Sequence, residues 1–188
     1  MSNYHFITHW QMDATCEEVY RTLEKVEDLP RWWPSVYLDV KVLEKGQAGG
    51  VGKLVDLYTK GWLPYKLRWQ FKVIETDFPK GFTLTVTGDF NGIGVWTFRP
   101  AENGKCDVIY DWRISAEKPL LKKMSWLLRP IFSANHEWAM RQGMESLRLE
   151  LLRNKAKTAE ALSEIQAPPA PTFTSPFFAK SKNKILTG

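Results

Sequence analysis

Residues 65–73 read Tyr65-Lys66-Leu67-Arg68-Trp69-Gln70-Phe71-Lys72-Val73, with apolar and polar side chains in strict alternation. Successive side chains of a strand point to opposite faces, so this stretch predicts a strand with one face packed on a core and the other in water. Downstream, Pro79-Lys80-Gly81 turns the chain into Phe82, Leu84 and Val86, which alternate with Thr83, Thr85 and Thr87. Asn91-Gly92 predicts a tight hairpin ahead of Trp96 and Phe98. Glu102-Asn103-Gly104 predicts another turn before Val108, Tyr110, Trp112 and Ile114. Upstream, Lys53–Tyr58 reads as a strand closed by Gly61 and Pro64, and Val36–Glu44 as one closed by the turn at Gly46–Gly50. Short strands joined by tight turns favour an antiparallel meander.

Helices flank this region. Residues 4–13 form a first strand, with Phe6, Thr8, Trp10 and Met12 on one face and His5, Ile7, His9 and Gln11 on the other. Thr15 then suits an N-cap, and Glu17 and Glu18 suit the positive end of a helix whose inner stripe is Val19, Leu23 and Val26. A second short helix follows Asp28 and ends at Arg31-Trp32-Trp33-Pro34, because the residue before a proline is pushed out of helical geometry. One of Trp32 and Trp33 is expected to pack inward and the other to close a pocket mouth. Pro130 reads as the first residue of a long helix reaching about Asn154. At ~1.5 Å per residue that helix is about 36 Å long, enough to cross a whole sheet. The fold class expected is α+β: a curved antiparallel sheet of about seven strands wrapped around a long C-terminal helix, with two short helices after the first strand. Residues 1–154 make one domain. Residues 155–188, rich in Ala, Pro and Lys and without apolar periodicity, read as a disordered tail.

The 188 residues carry a net charge of +5. Five lysines against Glu160 and Glu164 give the tail +3 and leave the rest nearly balanced, which argues against nucleic acid as a partner. Only two cysteines occur, Cys16 and Cys106, far apart in sequence, so no disulfide framework is expected. The N-terminus predicts no signal peptide, and no apolar run approaches the ~18 residues of a membrane span. The location expected is cytoplasmic, and the chain is expected to act as a monomer or weak dimer.

The wording of several stretches resembles one family. Ala14 followed by Glu17-Glu18-Val19-Tyr20, the Pro30-Arg31-Trp32-Trp33-Pro34-Ser35-Val36 stretch, Trp96-Thr97-Phe98-Arg99-Pro100 and Asn135-His136-Glu137-Trp138 with Gly143 to Leu147 are similar to START-like (SRPBCC) proteins of the polyketide cyclase/dehydrase type. The resemblance covers about residues 4–154 and implies the helix-grip fold. It is weak for activity, since this superfamily includes lipid carriers, aromatase/cyclases and other ligand binders without a shared catalytic motif.

Read residue by residue, the long helix turns Phe132, His136, Ala139, Met140, Gly143, Leu147 and Leu151 to one side at ~100° per residue. Glu137, Arg141, Glu145 and Arg148 fall on another, a solvated ladder. Trp69, Phe71, Leu84, Trp96, Phe98, Tyr110 and Trp112 share the presumed concave face of the sheet. Together with Phe132, His136, Met140 and Gly143, where an absent side chain leaves room, they are the candidate ligand-binding residues. Arg68, Asp111 and Arg113 alternate to the outer face, and Asp89 reads as turn chemistry. His136 and Tyr110 are the candidates for proton transfer if a reaction is catalysed.

Enzyme motifs otherwise fail. Gly50-Val51-Gly52-Lys53 lacks the first glycine and the Ser/Thr of a phosphate loop, Gly92-Ile93-Gly94 lacks its third glycine, and no GxSxG elbow occurs. The three histidines predict no metal site, and no cofactor is expected. The leading reading is a non-catalytic binder of an apolar or amphipathic small molecule, such as a lipid, isoprenoid or polyketide-like ring. A cyclase or dehydratase is the first alternative, and an adaptor acting through the tail the second. Residues 118–132, basic and without an acid, suit a transient contact with an anionic membrane surface.

Overall fold

The computed structural model describes residues 3–116 and 125–172. Strand β1 (Asn3–Met12) leads into helix α1 (Cys16–Glu24), a 3-10 turn (Val26–Asp28) and the single turn α2 (Leu29–Trp32). Six strands follow: β2 (Tyr37–Glu44), β3 (Leu54–Lys60), β4 (Lys66–Asp77), β5 (Gly81–Gly88), β6 (Phe90–Pro100) and β7 (Cys106–Ala116). The long helix α3 (Ser125–Lys155) and the short α4 (Ala159–Ser163) complete the described chain. All strand pairs are antiparallel, in the order β1-β7-β6-β5-β4-β3-β2. This is the helix-grip arrangement expected from the sequence.

Local chemistry explains the punctuation. Thr15 caps α1 in a reciprocal box: its Oγ1 accepts from Glu18 N at 3.2 Å, and Glu18 Oε2 accepts from Thr15 N at 2.7 Å. In β4 the alternation holds, with Leu67, Trp69, Phe71 and Val73 buried and Lys66, Arg68 and Lys72 exposed. The outer face carries the charges as expected, Arg68 pairing with Asp56 and Asp111 with both Arg113 and His5. Arg31 of α2 grips α3 through two hydrogen bonds to the buried Glu150 carboxylate, at 2.7 and 2.9 Å.

Three features differ from the sequence reading. Asn91-Gly92 is not the hairpin turn: the reversal centres on Asp89, whose N–H donates to Arg68 O and whose carboxylate accepts from Arg68 N. Gly92 instead lies in β6 opposite Ile114, so close to β7 that any side chain would strike the Arg113 carbonyl. Pro130 is not the first residue of α3 but lies five residues inside it. The helix continues through it with one backbone donor missing. Residues 156–172 are not structureless. Thr158 caps α4, Arg153 holds the Gln166 carbonyl, and Thr172 Oγ1 donates to Gly61 O at 3.3 Å, so the chain returns along α3 toward the opposite end of the sheet. Cys16 and Cys106, distant in sequence, stand with their sulfurs 3.0 Å apart, both buried and both free thiols. The basic stretch proposed for membrane contact lies outside the described residues as far as residue 124.

The core is uneven along α3. Its C-terminal half packs solidly through Leu147 and Leu151 against the sheet and α1, with Val19, Met12, Phe98 and Val108 almost wholly buried. Trp33 fills the space left at Gly143, where any side chain would collide with its indole. Beyond that plug, the N-terminal half of α3 stands off the sheet.

Candidate functional site

The space so left is a partly open cavity of about 130 Å³. Its floor is Leu67 and Trp69 of β4 with Tyr110, Trp112 and Ile114 of β7, all placed inward by the period-two alternation of their strands. Its roof is Phe132, Asn135, His136, Ala139 and Met140, one stripe of α3 at helical spacing. Tyr4 and Phe6 of β1, Phe90 at the start of β6, and Trp33, Val36 and Tyr37 close the sides. Thr59, Lys60, Gly61 and Tyr65 complete the lining.

Aromatic contacts hold the walls. Tyr110 stacks on Trp96 with ring centres 4.0 Å apart and continues to Trp112 at 5.4 Å, which meets Trp69 at 5.6 Å. His136 stacks on Phe6 at 4.2 Å. Trp69 is fixed by its own indole N–H, which donates to Thr59 Oγ1 at 2.9 Å. Such contacts add about 0.5–1.5 kcal/mol each beyond burial and keep the rings from collapsing into the void.

The imidazole and phenol groups of the cavity are neutral. Burial pushes the His136 imidazole down to about 4, because its charged form has lost water. Burial raises the Tyr110 hydroxyl well above the ordinary phenol value, with Tyr37 adding to the effect. The Tyr37 and Tyr65 hydroxyls are raised as well, again chiefly by burial. At neutral pH these groups therefore act as hydrogen-bonding imidazole and phenol. Trp33 Nε1 and His136 Nε2 are buried with no hydrogen-bond partner among the described residues. Native interiors seldom leave such atoms unpaired.

Of the residues expected to bind a ligand, Trp69, Tyr110, Trp112, Phe132, His136 and Met140 meet at this cavity. Phe71 and Leu84 face a separate space of about 50 Å³ beside Tyr20 and Leu23. Trp96 and Phe98 belong to the packed core, where Trp96 supports Tyr110 from behind. Gly143 does leave room, but Trp33 occupies it. Of the tryptophan pair, Trp32 packs inward and Trp33 borders the cavity.

Sequence reasoning missed Lys60, Asn135 and Tyr37. Thr59 continues the inward series Val55, Leu57, and extending that strand by one residue would have found it. Lys60, buried directly after Thr59, breaks the alternation and has no such signal. Burial and the neighbouring Cys16 raise the Cys106 thiol well above its ordinary value, which favours the protonated form. Among the described residues no group of His, Cys, Asp and Glu could hold a metal ion, and no helix is long and apolar enough to cross a membrane.

Solved structures share this architecture. A protein of Thermus thermophilus matches with a TM-score of 0.65 at 19% identity, over 81% of this chain and 100% of its own. The Zhui aromatase/cyclase of a Streptomyces species matches at 0.68 and 14% identity, over 84% of this chain and 98% of its own. A START superfamily protein of Mycobacterium smegmatis matches at 0.59 and 14% identity, over 76% and 98%. At these identities the likeness is one of fold. Among curated proteins no sequence relative matches. The sequence itself fits a family model over residues 12–142, a span that takes in every element from the end of β1 to the roof of the cavity. The chain belongs to the family described as polyketide cyclase / dehydrase and lipid transport.

Proposed function

We propose that the protein binds an apolar or amphipathic small molecule, with a ring-sized part of it held in the cavity between the sheet and α3. The observation that carries this reading is the pair of unpartnered polar atoms, Trp33 Nε1 and His136 Nε2, in the wall of a space lined largely by aromatic rings. A buried polar atom costs about 1–3 kcal/mol unless it is paired, so a ligand bearing an acceptor or hydroxyl gains where the empty protein loses. The volume bears on the ligand as well. Engineered apolar cavities of roughly 150 Å³ accept a benzene ring. At about 130 Å³ the cavity takes one ring deeply, and any longer portion extends through the mouth.

A cyclase or dehydratase reading keeps one support, because Tyr110 and His136 both face the cavity. The electrostatics favour binding over proton transfer. An efficient general base has a pKa near the working pH, and an imidazole held at about 4 is a weak one.

Native mass spectrometry of freshly purified protein tests the proposal, an additional small-molecule mass being expected. In parallel, the neutral dye N-phenyl-1-naphthylamine should bind saturably near one equivalent and quench tryptophan fluorescence. Folded protein that shows neither would defeat the proposal.

A further inference from the structure

The chain has two cysteines, and they meet away from the cavity. Cys16 is the first residue of α1 and Cys106 the first of β7, 90 positions apart in sequence, yet their sulfurs are 3.0 Å from each other. A disulfide needs about 2.05 Å, so an approach of about 1 Å would close the bond. Both residues stand at the ends of their elements, where such a shift disturbs little regular structure. The surrounding contacts hold the pair together. Strand register sets Met12 opposite Cys106, Gln11 Nε2 donates to Asp107 Oδ1 at 2.9 Å, and Lys105 Nζ reaches Asp13 Oδ1 at 2.9 Å. The Thr15–Glu18 capping box then fixes the turn that delivers Cys16. Among the described residues no set of three metal-ligating side chains forms, so the chemistry open to this pair is that of thiols.

We propose that Cys16 and Cys106 form a site of reversible oxidation, closed to a disulfide by a peroxide. Cys16 meets the oxidant first, being 8% exposed between the exposed Thr15 and Glu17, whereas Cys106 is wholly buried. The Cys16 sulfur takes one peroxide oxygen and becomes a sulfenic acid, and the other oxygen leaves as water. The Cys106 sulfur then attacks Cys16, the S–O bond breaks as the S–S bond forms, and the departing hydroxide takes the Cys106 proton and leaves as a second water. Two thiols are oxidised by one peroxide, and a thiol reductant reverses the change. The bond ties α1 to β7 and encloses every strand from β2 to β6, which restricts the unfolded chain far more than the folded one. The cavity stands apart from this change. Its first residue on β7, Tyr110, is four positions along the strand from Cys106, about 13 Å at ~3.3 Å per residue. Oxidation therefore acts on the stability of the scaffold, and the proposal holds whether or not the cavity binds a ligand.

The test treats the folded full chain with hydrogen peroxide, removes the peroxide with catalase, and unfolds the protein in guanidinium with N-ethylmaleimide. Peptide mass mapping is expected to give one cross-linked peptide holding Cys16 and Cys106, lighter by two hydrogens than its parts, with neither sulfur alkylated. The oxidised protein should unfold at a temperature higher on the order of 10 °C, and dithiothreitol should return the midpoint to its starting value. Cys16→Ser should remove both the cross-link and the rise; the wild-type measurement stands by itself if that variant folds poorly. Recovery of both cysteines alkylated after peroxide, over-oxidation of Cys16 without the cross-link, or a cross-link between two chains overturns the proposal. An unchanged midpoint in protein that carries the cross-link overturns its action on stability.

Discussion

His136 offers a test of the cavity that needs no ligand. Its imidazole is held down to about 4 by burial, against an ordinary value of 6.5. Between those values the unfolded chain takes up a proton that the folded chain refuses. Stability linked to His136 is therefore fully present above pH 6.5 and is lost as the pH falls toward 4. At ~1.4 kcal/mol per pKa unit the full loss is about 3 kcal/mol, and about 2 kcal/mol of it falls between pH 7 and pH 5. His136→Phe keeps a ring stacked on Phe6 and removes both the titration and the unpartnered Nε2. Urea unfolding of both proteins at pH 7 and pH 5 isolates the effect, because the carboxylates that titrate in this range are common to the two. The wild type should lose about 2 kcal/mol more than the variant over this interval. Equal losses would show that the imidazole is solvated or paired rather than buried and unpartnered.

Replacing Trp112 by Ala should weaken the neutral dye by about tenfold, while Arg113→Ala, on the opposite face, should leave it unchanged; fluorescence titration decides. Gly143→Ala should cost about 1–3 kcal/mol of stability in urea, because the added methyl meets the Trp33 indole, and a stabilised helix would contradict that packing. Arg31→Met should destabilise by about 2 kcal/mol, less than a fully buried pair, since Arg31 is half exposed and Arg153 lies 4.0 Å from Glu150. Deleting residues 158–188 removes no buried side chain among those described, so the thermal midpoint should move by only a few degrees; a larger fall would make the returning segment part of the core.

The elements were legible because their signals are local. Alternation in Leu67, Trp69, Phe71 and Val73 needs only the pleat of a strand, and the stripe from Phe132 to Leu151 needs only 3.6 residues per turn. These two periods placed Trp69, Tyr110, Trp112, His136 and Met140 toward a common interior before any contact was known. Tertiary structure decided what fills that interior. Gly143 looks like room for a ligand until Trp33, 110 residues away, is found to occupy it. Asn91-Gly92 has the composition of a hairpin turn, yet the register between β6 and β7 draws Gly92 into the sheet and moves the reversal to Asp89. Cys16 and Cys106 meet because β1 pairs with β7 and sets Met12 opposite Cys106, only four residues before Cys16. Lys60 turns inward where its strand ends, against the alternation. Such outcomes depend on which distant side chain arrives at a given space, and a cavity is what remains after all of them have packed; no period within one stretch of chain encodes that remainder.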